Sequence, residues 1–195
     1  MAPPEAPAAG RLLLSADERA RLLPSLSTRE QLAEVERLGL HAARVWAMRP
    51  AVLGRPDLLG AAFARELHRR MFGAVWRGAG DYRRAAGPAG WEPAQIAEGM
   101  RVFLEDAGGW ISHGVHSPRD AAVRLHYRLL AVRPWANGNG RHARLLADVV
   151  VAAHGEAPLT WGARSSGPAA RAAYALALAA ADAGDLGPLL DFAGS

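Results

Sequence analysis

The residues best suited to chemistry lie in one stretch, Val132 to Arg144, with the sequence VRPWANGNGRHAR. The only two asparagines of the chain are here, alternating with two glycines. Pro134 stops a helix arriving from Leu129, and helical composition resumes at Arg141. The segment Asn137–Gly140 is therefore expected at a helix N-terminus, where unpaired backbone N–H groups and the helix dipole favour an anion.

Two arginines support this prediction. Arg141 and Arg144 are three residues apart, so they share one face of the expected helix. A guanidinium group donates two parallel hydrogen bonds to a phosphate or a carboxylate. The sequence therefore predicts a phosphate or carboxylate site, with an ordinary asparagine-capped glycine turn as the alternative. The predicted anion-binding residues are Gly138, Asn139, Gly140, Arg141 and Arg144.

The same stretch resembles the signature of the Fic family, His-Pro-Phe-x-(Asp/Glu)-Gly-Asn-Gly-Arg-x-x-Arg. The matching positions are Pro134, Gly138, Asn139, Gly140, Arg141 and Arg144. Residues 76–83, 138–145 and 159–162 are also similar to a branch of the family called mobile mystery protein B. The resemblance covers most of the chain. It implies an all-α fold, a single Fic-like helical domain with a small β-hairpin flap over the active site.

Two positions depart from the signature. The family's histidine, which takes a proton from the target hydroxyl that attacks the α-phosphate of a nucleotide, is Arg133 here. Arginine keeps its proton at working pH and cannot be a general base. The family's magnesium-binding acid is Asn137, which offers a neutral carbonyl where magnesium prefers charged oxygen ligands. The resemblance thus implies a catalytic set of Arg133, Asn137, Arg141 and His142, with Asn137 as the metal ligand.

The resemblance and the residues nearby suggest further members of the site. His142 is the stronger candidate for a substitute base, and His126 is the other. In the family the flap covers the active site, and here Tyr82, Arg83 and Arg84 are expected to reach a small ligand. Residues 84–90 are rich in Ala, Gly and Pro, so this flap offers a poor strand edge for a protein target.

The predicted function is a divergent Fic-type transferase, repurposed away from ordinary AMPylation toward a small molecule. The expected cofactor is ATP or another nucleotide with Mg²⁺. Two alternatives stay open: a catalytically inactive nucleotide-binding or phosphate-binding regulatory module, and a protein nucleotidyltransferase with a substitute base. Expected partners are a nucleotide or another anionic small molecule, with a protein target or an antitoxin-like partner.

Composition narrows the class of protein. A chain of 195 residues that is 50% hydrophobic fits one globular domain, expected over residues 11–195 after a flexible tail at 1–10. All 23 basic residues are arginine and the net charge is +4, but no arginine run marks a nucleic-acid surface. Without cysteine, a signal sequence or a long apolar stretch, we expect no disulfides and no membrane span, and a cytoplasmic location.

Two capping boxes predict where the first helices begin. Ser15 is followed three residues later by Glu18, and Thr28 by Gln31. In such pairs the hydroxyl accepts from the third backbone N–H, while the longer side chain accepts from the cap N–H.

Overall fold

The computed structural model of this chain describes residues 14–87, 89–163 and 167–195. The predicted tail at 1–10 lies outside these residues. The helices within them are α1 Ala16–Arg21, α2 Arg29–Ala47, α3 Pro50–Leu53, α4 Ala61–Phe72, α5 Pro93–Ser112, α6 Pro118–Val132, α7 Asn139–Ala153, α8 Gly167–Asp182 and α9 Gly187–Gly194. In the part of the chain that the structure describes, no helix has both the length and the apolarity needed to span a bilayer.

Local sequence explains where several helices begin. The capping boxes at Ser15 and Thr28 both form, and each hydroxyl accepts from the backbone N–H three residues on. Ser117 caps α6 by accepting from the N–H of Asp120 at 3.1 Å. The Pro118 ring suits the first turn of that helix because its missing N–H has no intrahelical partner to lose.

Helix α7 lies at the centre of the molecule. Its buried residues run round the whole helix from His142 to Val151, so it is enclosed and not a surface amphipathic helix. α6 packs along it and contributes Leu125, Leu129 and Val132 to the same core. Burying such side chains stabilises the fold by about 2 kcal/mol each. The rigid α6–α7 pair therefore holds the loop between them.

The predicted β-hairpin flap does not form in the described residues. Residues 77–87 and 89–92 consist of turns and irregular backbone, and the only β-type pairing in the described chain is a single bridge between Leu22 and Trp76. The physical reason is composition, because a Gly-, Ala- and Pro-rich segment has few residues that favour a strand. The all-α prediction is confirmed.

Candidate functional site

The loop between α6 and α7 is held in one shape by its own side chains. Arg133 ends α6 with a left-handed backbone, φ 49° and ψ 63°, which is unusual for a residue other than glycine. The Asn139 side chain closes the loop: its Oδ1 accepts from the N–H of Trp135, and its Nδ2 donates to the Trp135 carbonyl, each at 2.9 Å. Asn139 therefore shapes the loop through its side chain.

Trp135 anchors the loop in the core. Its ring is 1% exposed and stacks on His68, with centroids 4.4 Å apart, and on Tyr82 at 5.2 Å. His142 meets it edge-on at 5.1 Å. Burial of this large aromatic ring fixes the position of the neighbouring backbone.

The first turn of α7 presents unpaired donors. The first intrahelical hydrogen bond runs from the N–H of His142 to the carbonyl of Gly138. The backbone N–H groups of Asn139, Gly140 and Arg141 have no partner among the described residues. These donors and the positive end of the helix dipole form the kind of site that attracts an anion.

Arg141 does not share that site with Arg144, which corrects the sequence prediction. Its guanidinium forms a two-point ion pair with Glu36 on α2, at 2.8 and 3.1 Å, and lies over the Phe72 ring. Glu36 is 9% exposed and also accepts from Nε1 of Trp76 at 2.8 Å. Arg141 thus neutralises a buried carboxylate and ties α7 to α2.

Arg144 faces a cleft of about 620 Å³ at the α7 N-terminus. Arg133 lines the same cleft, and neither arginine forms a salt bridge within the described residues. The full lining is Tyr127, Leu130, Ala131, Arg133, Asn139, Gly140, Arg144, Tyr174, Leu178 and Asp182. Of the predicted anion-binding residues, Asn139, Gly140 and Arg144 line this one cleft. The structure adds Arg133 to them and removes Arg141.

On its other side, Arg144 borders a smaller cleft of about 220 Å³. There, Arg44 pairs with Asp148 at 2.6 Å, and Arg141 pairs with Glu36. The smaller cleft thus holds cations that already have carboxylate partners, so the larger cleft is the better anion site.

His142 cannot be the substitute base that the sequence suggested. Its side chain is 1% exposed, and Nε2 donates to the carbonyl of Ala64 at 2.9 Å inside the core. Burial lowers the pKa of His142 to about 3, so the ring stays neutral without facing the cleft.

The other two histidines near the loop are also buried. Nε2 of His126 lies 2.9 Å from the hydroxyl of Tyr174, and burial lowers the His126 pKa to about 3. His68 accepts from the N–H of Gly80 through Nδ1 and donates to the carbonyl of Asn137 through Nε2. Burial lowers the His68 pKa to about 4. Groups with such depressed pKa values are weak bases at neutral pH.

The flap residues also differ from their predicted role. Arg83 donates to the backbone carbonyls of Arg133, Ala85 and Trp91, which ties its own segment and Trp91 to the loop. Tyr82 stacks on Trp135, and its hydroxyl is buried without a partner in the described structure. Of the three predicted flap residues, Arg84 alone is exposed. None of the three lines the cleft at the α7 N-terminus, but all three line a separate cleft of about 420 Å³.

The residues present do not fit a protein-held magnesium site. Asn137 stands where the family has an acid, it does not line the cleft, and its backbone carbonyl accepts from His68. Within residues 14–87, 89–163 and 167–195, no cluster of three or more His, Cys, Asp or Glu is arranged to hold a metal. Magnesium prefers several hard oxygen ligands, usually including carboxylates.

Sequence reasoning missed four residues around the loop. Tyr127, Tyr174 and Asp182 line the cleft from α6 and α8, and Glu36 holds Arg141 from α2. These contacts join residues far apart in the chain, and helical spacing alone cannot reveal them. The sequence held one indication of these residues: Tyr174, Leu178 and Asp182 recur every four residues on α8, so they share one face of that helix.

Comparison with known proteins identifies this arrangement as a Fic fold. Residues 59–151 match the model of the Fic/DOC family. Fic-1 (residues 134–508) from Caenorhabditis elegans has a TM-score of 0.63 and 28% identity, covering 82% of this chain and 46% of that one. The chain is therefore similar to Fic/DOC proteins in sequence over residues 59–151, and it has a Fic-like fold.

Two curated protein adenylyltransferases are also similar to this chain in sequence. Protein adenylyltransferase fic-1 of C. elegans is 28% identical over 179 residues, which cover 90% of this chain and 34% of that protein. Protein adenylyltransferase Fic of Culex quinquefasciatus is 29% identical over 129 residues, covering 64% of this chain and 25% of that protein. This chain thus spans about a quarter to a third of the length of these relatives.

One solved relative carries a nucleotide. The N-terminal Fic domain of a Bartonella quintana effector with bound ADP has a TM-score of 0.69 and covers 89% of this chain and 88% of that one. Its identity is 17%, so the likeness shows the fold alone.

Proposed function

We propose that the cleft at the N-terminus of α7 binds the phosphates of a nucleotide, and that the chain is a divergent Fic-type transferase. The observation that carries this proposal is the convergence of Arg133, Arg144 and the unpaired N–H groups of the first α7 turn on one cleft. Two guanidinium groups without a carboxylate partner in the described residues, beside a helix N-terminus, favour a phosphate chain. The ADP in the B. quintana relative supports a nucleotide as the ligand.

Arg133 suggests what kind of acceptor the reaction uses. A hydroxyl acceptor needs a base to remove its proton, and the histidines near the loop are buried and do not line the cleft. A carboxylate or phosphate acceptor is already an anion at neutral pH and needs no base. Arg133, exposed at the cleft, can bind such an acceptor and stabilise the negative charge of the transition state.

In this proposal, an acceptor oxygen attacks the α-phosphorus of a nucleoside triphosphate. The bond from the α-phosphorus to the bridging oxygen breaks, and pyrophosphate leaves with the electron pair. Arg144 and the α7 N–H groups hold the phosphates in place, and Arg133 holds the acceptor. Positioning and charge stabilisation supply most of the catalysis in phosphoryl-type transfers.

A small acceptor fits better than a protein. The relatives named as protein adenylyltransferases imply protein targets for those proteins. In this chain the described residues of the flap form no strand edge, and Arg83 holds the segment against the loop. A protein segment bound by strand pairing would have no regular partner there.

The transferase proposal predicts acceptor-dependent release of pyrophosphate. Purified chain would be incubated with ATP, CTP, GTP or UTP and pools of carboxylate and phosphate metabolites. We expect release with at least one pool and a rate at least about 100-fold lower in Arg133→Ala, because one charge-stabilising donor is lost. Arg84→Ala, which removes an exposed arginine outside the cleft, should keep the wild-type rate.

The second candidate function is a binding module without chemistry. The buried, neutral state of His68, His126 and His142 favours it, since no histidine near the loop can serve as a base. If nucleotide binds but no pool supports pyrophosphate release, the transferase proposal is wrong and the binding module replaces it.

A further inference from the structure

The two ends of the cleft differ in chemistry. At one end, the Arg144 guanidinium lies over the Tyr174 ring, with 5.7 Å between its Cζ and the ring centroid, and the first turn of α7 and Arg133 also line the cleft. At the other end, two turns further along α8, Asp182 accepts a hydrogen bond from the Tyr127 hydroxyl. On α8, Tyr174, Leu178 and Asp182 lie on successive turns of one face, so the row from Tyr174 to Asp182 runs roughly 12 Å along the helix. A ligand that fills the cleft would contact the arginines at one end and the Asp182 carboxylate at the other.

Asp182 has hydrogen-bonding capacity left over. The hydroxyl of Tyr127 donates to its Oδ1 at 2.7 Å, which links α6 to α8 at the end of the cleft. Oδ2 has no hydrogen-bond partner in the described parts of the chain. The contact also raises the pKa of Tyr127, because the hydrogen bond to Asp182 stabilises the protonated hydroxyl and the nearby carboxylate disfavours the phenolate. Tyr127 thus remains a donor at neutral pH and leaves Asp182 free to accept from a ligand.

The middle of the cleft is apolar on both sides. Leu130 and Ala131 come from α6, and Leu178 comes from α8. Tyr127 also borders a second cleft of about 400 Å³, and Trp110 is among the residues that line it. This second cleft therefore has room for a flat ring of a ligand whose hydroxyl groups contact the Asp182 carboxylate.

We propose that Asp182 accepts hydrogen bonds from the ribose hydroxyls of the bound nucleotide, which makes the site selective for ribonucleotides. This inference rests on the proposed function, because the phosphates must occupy the arginine end. A carboxylate is an acceptor-only group and binds hydroxyl donors well, whereas it would repel a second anion. A ribonucleotide presents an anionic group, then a sugar with two hydroxyl donors, and then a flat base, which is the order of groups along the cleft.

Calorimetry on the full chain tests this assignment. The probes are ADP, 2′-deoxyADP, 3′-deoxyADP and inorganic pyrophosphate. We expect the wild-type chain to bind ADP about ten times more tightly than either deoxy analogue, the usual effect of a lost hydrogen bond to a charged group. Asp182→Asn should lower ADP affinity about tenfold and abolish the preference, with pyrophosphate binding unchanged. Asp191→Asn removes an exposed acid on α9 that does not line this cleft, so it should behave as wild type.

The outcomes separate the two proposals. Equal wild-type affinity for ADP and both deoxy analogues would overturn the assignment of Asp182, while pyrophosphate binding that is lost in Arg144→Ala would leave the phosphate site standing. Absence of binding by all four probes would overturn both. Asp182 is exposed, so its substitution should leave the thermal unfolding temperature unchanged, and that measurement shows that any loss of affinity is local.

Discussion

Gly138→Ala is expected to lower the free energy of unfolding by about 3 kcal/mol. Gly138 begins α7 with φ 68°, a left-handed conformation that costs an alanine about 1 kcal/mol. A Cβ at this position would also overlap the Phe72 ring, with Cε2 only 2.5 Å away and Cζ closer still. Phe72 is fully buried, so the ring has little space to move.

Urea unfolding followed by circular dichroism measures this effect, and Gly140→Ala is the matched control. Gly140 lies two residues further on, in the helix, and the nearest atom to its Cβ would be Leu130 Cδ2 at 3.8 Å. That variant should be neutral or more stable by up to about 1 kcal/mol, because alanine favours a helix over glycine. Equal stability of the two variants would show that Phe72 does not constrain the start of α7.

Arg141→Ala is expected to cost about 3 kcal/mol of stability, since it leaves a buried carboxylate without its charge partner. Glu36 would keep only the hydrogen bond from Trp76 Nε1. The low end of the range for buried pairs applies, because Arg141 itself is 35% exposed. The measurement is the shift of the urea midpoint at constant slope.

Two comparisons distinguish this structural role from ligand binding. Arg144→Ala removes an arginine without a carboxylate partner in the described residues, so it should cost less than about 1 kcal/mol. The double variant Glu36→Gln, Arg141→Ala should be less destabilised than the sum of its single variants, because the pair is coupled. An Arg141→Ala chain of wild-type stability that no longer binds phosphate would reverse the roles assigned to the two arginines.

The structural features that were predicted best are those that depend on residues near one another in the sequence. The capping boxes at Ser15 and Thr28 depend on groups within four residues, and both form. The helix expected to resume at Arg141 starts two residues earlier, at Asn139, within the predicted N-terminal segment. The direction of Arg141 depends on Glu36, which lies on another helix far away in the chain. No local pattern could show which of the two arginines faces a ligand and which neutralises a buried acid.

The roles of the histidines and of the flap residues also depend on contacts that local sequence patterns do not reveal. His142 lies next to Arg141 in the sequence, yet the helical rotation between them directs its ring toward Ala64 in the core. Arg83 looked like a ligand-binding cation, but the carbonyls of Arg133 and Trp91 occupy its donors. Burial and pairing, which arise only when the chain folds, decided these roles.

The most direct test of the central claim is calorimetric titration of ADP and inorganic pyrophosphate into the wild-type chain and Arg144→Ala. The claim is that Arg144, Arg133 and the first turn of α7 form one phosphate site. We expect micromolar ADP binding by the wild type and at least about tenfold weaker binding of both probes by Arg144→Ala, the usual loss for a charge-assisted contact. Unchanged affinity in a folded Arg144→Ala chain, or no binding by the wild type, would contradict the claim.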